Sequence, residues 1–262
     1  IDGQKFSFGE DFLANAVGAT LTGPLVFAGS GWIVKSKNID PYQSIDVKGK
    51  IIVVVGQGFP KGVVRADLTG VQGTDWSSPG LYAQRHGAQA ILSLPDAATA
   101  QGWAQQLQRL MQPSRASVEK FQTTANGTPV PTVVLSAKMA NALLAGAKTD
   151  AATLIAKVQN GEPTTAFDFS AEKNVNITIA VKPDHPTTQN IVAVWEGGDT
   201  VLKNEYVAVG AHYDHIGICA PGTADPICNG ADDDGSGTTA LLGMAEAISH
   251  AKARPKRSVL FV

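Results

Sequence analysis

The sequence predicts an α/β fold, a mixed sheet flanked by helices, interrupted by a β-rich module of α+β type. Three observations predict it. Residues 50–55 (KIIVVV) are a β-branched run suited to a strand covered on both faces, and helical patterns alternate with such runs through the first part of the chain. Beyond Phe167 the pattern changes: Val175, Ile177, Ile179 and Val181 are separated by polar residues, as in a half-buried antiparallel or edge strand. Near the end, Leu241, Met244, Ala245 and Ile248 recur at helical spacing and lead into an apolar run at 258–262.

Taken in order, residues 26–34 are apolar, punctuated by glycine, and read as sheet, whereas 39–48 carry turn residues. Residues 56–80 hold six glycines and two prolines with no sustained period, which predicts a long surface loop. A helix over 81–86 stops at Gly87, where a left-handed residue ends helices well, and a strand follows at 90–94. A polar helix over 98–111, a loop at Asn126-Gly127, a strand at 132–135 and a helix with Ser136 as N-cap come next. One more helix is expected over 151–158. Strands are expected at 189–195 and at 206–211 (YVAVGA), the second so continuously apolar that it should be central in its sheet. The helix from Ser236 ends at Lys252, Arg254 and Pro255. A strand from Ser258 runs to the last residue, so the C-terminus is expected to be a cut within a buried element.

With 262 residues, 44% of them apolar, the chain suffices for one large domain or two ordinary ones. A net charge of -2 gives no basic footprint for a phosphate backbone, which argues against nucleic acid and favours small or peptidic substrates. No apolar run approaches the roughly 18–20 residues of a membrane span. The first residues, IDGQKFSFGE, lack a basic region followed by an apolar stretch, and are either a mature N-terminus or a cut inside a longer protein. The two cysteines, Cys219 and Cys228, share one loop. If bridged they close a ring of about ten residues, worth roughly 2.5–3 kcal/mol in the chain-entropy picture, and would indicate an exported, secreted or periplasmic protein. The alternative is two free thiols in a cytosolic loop.

Chemistry concentrates in two motifs. In GAHYDHIG (210–217), strand alternation would put His212 and Asp214 on one side and Tyr213 and His215 on the other. A zinc-ligating His commonly gives its second ring N–H to a carboxylate, so His212 is a candidate metal ligand and Asp214 its orienting partner or a catalytic carboxylate. An ordinary hydrogen-bonded His at a strand end is the plain alternative. In NGADDDGSG, Asp232, Asp233 and Asp234 precede the amphipathic helix; one carboxylate suits the positive helix end, but three in a row repel unless a cation intervenes. The plain version has Asp234 capping the helix and the others in solvent. An EF-hand loop fails, because Gly230 and Leu241 fall where its first and last ligands belong. Gly56, Gly58 and Gly62 follow a strand, yet Pro60 and the lack of a helix argue against a dinucleotide loop. No serine has glycine at both second neighbours, as a nucleophile elbow at Ser236 would need. His86, His185 and His250 read as structural or solvated, and His215 as a residue that lines the site only if the strand ends early.

GAHYDHIG, then NGADDDGSGTTALLGMAEAI, then RSVLFV resembles the zinc aminopeptidase and glutamate carboxypeptidase family, which also includes the transferrin receptor. The resemblance implies a two-zinc site in which His212 binds one zinc, Asp233 bridges both, and Asp214 supports the His. The earlier stretches VFAGSGWIV, YQSIDVKGKIIVVV, YAQRHGAQAILSL and PVPTVVLSAKMANALL resemble the protease-associated domain inserted in such peptidases. That implies peptidase segments at 1–19 and 166–262 around an inserted domain at 20–165. The family continues with a Glu-Glu pair, a further acidic ligand and a last His, none of which lies within these residues, so the chain alone is expected to be inactive. The implied parent reaction is removal of a terminal residue from a peptide substrate. A non-catalytic receptor or binding protein on the same fold is the alternative.

Overall fold

A computed structural model describes residues 1, 4–111, 129–182, 185, 187–219 and 222–262. The loop expected at Asn126-Gly127 lies outside the described residues. The chain divides into two compact units, Ile1–Pro183 and Asp184–Val262.

The first unit contains β1 (Phe12–Ala14), β2 (Ala19–Phe27), β3 (Ile33–Val34), β4 (Ile51–Val55), β5 (Trp76–Ser77), α1 (Pro79–His86) and β6 (Ala90–Leu94). It continues through α2 (Ala97–Gln101), α3 (Trp103–Met111), β7 (Thr132–Leu135), α4 (Ala137–Leu144), α5 (Ala151–Asn160), β8 (Phe167–Asp168) and β9 (Asn174–Ile179). Its main sheet runs β1-β7-β6-β4-β2-β8, with β9 also paired to β2. β2, β4, β6 and β7 are mutually parallel, and β1, β8 and β9 join antiparallel.

The reason β4 is apolar throughout is visible in its packing. Ile51, Val53 and Val55 share a core with Leu143, Leu144 and Leu154 of α4 and α5, while Ile52 and Val54 point the other way, toward Ala83 of α1 and the loop residues Tyr42 and Val47. Local signals set the helix ends. Ser78, Asp96, Ser136 and Asp150 each accept a backbone N–H in the first turn that follows, filling a donor the helix cannot satisfy itself. Gly87 ends α1 at φ 72°, in the left-handed region.

In the first unit the helix and loop expectations differ from the structure. The single helix over 98–111 is two, α2 and α3, separated at Gly102, a residue of low helix propensity. The loop at 56–80 contains β5 and a short helical turn at Arg65–Asp67, where the Asp67 carboxylate accepts the Val64 N–H at 2.8 Å. β8 and β9 pair with β2, and Val175 and Ile177 enter the core that holds Phe27.

The second unit contains β10 (Ala193–Trp195), β11 (Tyr206–Val209), β12 (Gly217–Ile218), β13 (Ile227–Cys228), α6 (Gly237–Ser249) and β14 (Ser258–Phe261). Its sheet runs β10-β14-β11, with β14 parallel to β11 and antiparallel to β10. Among the described residues β14 is therefore central, and β11, expected there, is an edge whose Tyr206 and Val207 are exposed. Thr238, Leu241, Ala245 and Ile248 form the half-buried stripe of α6. No helix among the described residues is long and apolar enough to cross a membrane.

Candidate metal centre

The centre is built where β11 ends. The strand pairing carries on past Val209 through two bonds: the Val262 N–H donates to the Val209 carbonyl at 3.0 Å, and the Ala211 N–H to the Val262 carbonyl at 3.1 Å. Beyond Ala211 the backbone is irregular, so strand alternation does not govern the side chains of residues 212–215. His212 is held by its neighbours instead. The Thr238 hydroxyl, in the first turn of α6, donates to the His212 carbonyl at 2.9 Å, fixing that backbone to the helix start.

The imidazole of His212 bridges the two motifs. Its Nδ1 lies 2.8 Å from the backbone carbonyl of Asp214 and 3.5 Å from the Asp214 carboxylate. A carbonyl only accepts, so Nδ1 carries the proton and the backbone oxygen is the nearer orienting group. Its Nε2 lies 3.1 Å from Oδ1 of Asp233. When protonated, Nε2 donates to that carboxylate. His212 is accordingly held above the ordinary imidazole range, first by the bond to the Asp214 carbonyl and then by the charges of Asp233 and Asp234.

Asp233 is delivered by a wide turn, Ala231–Ser236, in which Asp233 and Asp234 depart from helical geometry and are joined by a cis peptide bond. The Asp234 carboxylate accepts the Gly237 N–H at 3.1 Å, so it caps α6 at the positive end of the helix. Gly230 opens the turn at φ 62°; a Cβ there would lie 2.5 Å from Cγ of His215 and 2.7 Å from the Asp233 carbonyl. Only glycine fits that position. The His215 side chain lies beside Gly230.

Cys219 and Cys228 form a disulfide with Cα atoms 5.8 Å apart. It closes the loop that joins the two motifs, in which β12 and β13 pair as a short hairpin. Thr238 and Gly230 were not singled out from sequence: a threonine in a first helical turn and a glycine before acidic residues are common in many contexts. Their roles depend on which distant backbone they meet.

Imidazole with carboxylate is a donor pair that suits zinc. Two donors do not complete a zinc site, and the described residues hold no cluster of three or more ligating side chains. His212 and Asp233 also remain largely exposed, at 51% and 77% of their side-chain surface, so the pair is open to solvent.

Residues 190–262 match peptidase family M28. The chain is similar in structure to an aminopeptidase from Aneurinibacillus sp. strain AM-1, at 18% identity and a TM-score of 0.38, over 96% of this chain and 45% of that one. It is also similar to a zinc aminopeptidase from Bacillus subtilis, at 17% identity and a TM-score of 0.32, over 95% of this chain and 44% of that one. The chain thus spans less than half the length of either. A search of curated proteins finds no match. His212, Asp214 and Asp233 all lie within the residues that match peptidase family M28.

Proposed function

We propose that this chain is part of an exported zinc-dependent exopeptidase, an aminopeptidase, that removes terminal residues from peptides at a two-zinc site. The observation that carries the reading is the approach of His212 Nε2 and Asp233 Oδ1 to 3.1 Å from the two ends of a disulfide-closed loop, inside the segment of M28 type. His212 is the ligand to one zinc, Asp233 the carboxylate shared between two, and Asp214 the group that orients the His212 ring. Zinc, when bound, supplies Lewis-acid polarisation of the scissile carbonyl and lowers the pKa of a water. The chain's own residues do the positioning: the Asp214 carbonyl fixes the tautomer of His212, and Thr238 holds the His212 backbone against α6. Among the described residues no third ligating side chain joins this pair, so the reading requires further ligands and a general base besides His212 and Asp233. The disulfide accords with an oxidising compartment.

The test is elemental analysis of the full-length protein and its Asp233→Ala variant, with a panel of aminoacyl and peptidyl substrates. Loss of both zinc and hydrolysis in the variant is the expected result. Normal turnover with zinc retained would overturn the assignment.

A further inference from the structure

The first unit contains a cavity of about 610 Å³, bordered by α5, the end of α4 and the chain around β8. That size is within the range of ligand clefts, roughly 300–1,000 Å³. Its floor is apolar. Leu154 is buried, and the Phe167 ring stacks obliquely between Phe169 and Phe27, with centroids 5.3 and 5.2 Å away. Its rim is cationic. Lys148 and Lys157 border it with no ion-pair partner among the described residues, and Lys173 reaches the Ala142 and Ala145 carbonyls at 3.4 Å, at the carboxyl end of α4. The one acid on the rim, Asp168, is neutralised by Lys50.

An apolar floor beneath Lys148 and Lys157 selects an anion attached to an apolar body. Thr149, Thr164 and Thr165 also line the cavity, each carrying a hydroxyl. An alkyl carboxylate offers no partner to any threonine hydroxyl it covers, whereas a peptide end offers amide groups. We propose that this cavity binds the C-terminal carboxylate of a peptide whose last residues are apolar, with Lys148 and Lys157 facing the carboxylate and the phenylalanine rings facing the side chains. It stands on the first unit's geometry alone, so its failure and that of the zinc reading are separate.

The experiment titrates the 262-residue chain with N-acetyl-Leu-Phe, its C-terminal amide, and octanoate, following NMR signals of Leu154, Phe167 and Phe169. The free acid should shift those signals and bind at least about fivefold more tightly than the amide, and the gap should close near 1 M salt, where screening acts within about 3 Å. Lys157→Met should weaken the acid about two- to fivefold while Lys157→Arg retains it. Both lie at an exposed position, and Lys148→Met gives an independent reading. Equal binding of acid and amide, shifts that miss the cavity, no binding, or octanoate binding more tightly than the peptide would each overturn the proposal.

Discussion

Ser258 is the position where one atom holds the second unit's sheet together. It is fully buried at the start of β14, where its hydroxyl donates to the Lys203 carbonyl at 2.6 Å and accepts the Gly197 N–H at 3.0 Å. These bonds tie the segment after β10 and the turn before β11 to the central strand. In Ser258→Ala both bonds vanish. A net hydrogen bond contributes about 0.5–1.5 kcal/mol, and a buried donor left without an acceptor costs about 1–3 kcal/mol. Gly197 is buried and must bear that loss, whereas Lys203 is a half-buried residue whose carbonyl can turn to water. The expected destabilisation of the second unit is therefore about 2–3 kcal/mol. Native-state hydrogen exchange over residues 193–209 and 258–262 reads it locally, and that energy corresponds to exchange roughly 30- to 150-fold faster. Ser249→Ala, which removes an exposed bond to the Glu246 carbonyl, is the control and should alter exchange little. Exchange in Ser258→Ala within about twofold of the parent would refute the reasoning, because the two bonds would then contribute less than about 0.5 kcal/mol.

Other outcomes follow from the same coordinates. Asp11, nearly buried, accepts Lys138 Nζ and the Ser7 N–H, both at 2.9 Å, and these bonds hold its carboxyl below the usual range. Its contribution is present above the unfolded carboxyl pKa, about 3.9, and is lost as pH falls through the lower folded value, so Asp11→Asn should flatten the acid limb of a denaturation profile. Tyr42 donates its hydroxyl to the buried Gly31 carbonyl at 2.8 Å, and burial pushes its pKa upward, so its contribution falls as pH rises beyond about 10. Tyr42→Phe should cost about 1–2 kcal/mol in urea unfolding and remove that alkaline slope. Replacing Cys219 and Cys228 by Ser should loosen the loop between the two motifs by about 2.5–3 kcal/mol, measured as faster exchange across residues 217–230.

What could be read from sequence was local. The buried run of β4, the strands β6 and β7, the stop at Gly87 and the cap at Ser136 each depend on a residue and its near neighbours, and those interactions survive in any fold. The two motifs of the candidate centre were also legible, because acidic residues beside a helix start and a histidine after an apolar strand are local anomalies. Tertiary structure decided the rest. Alternation in β9 requires one covered face but does not choose the partner, and it was β2 that supplied it. Continuous apolarity in β11 points to a central strand, yet among the described residues it has one paired edge, with β14 in the middle. The orientation of His212 likewise came from contacts 2 to 26 residues away, with the Asp214 carbonyl, Asp233 and Thr238. Periodicity constrains which face of an element is covered; which distant element covers it depends on where the rest of the chain comes to lie.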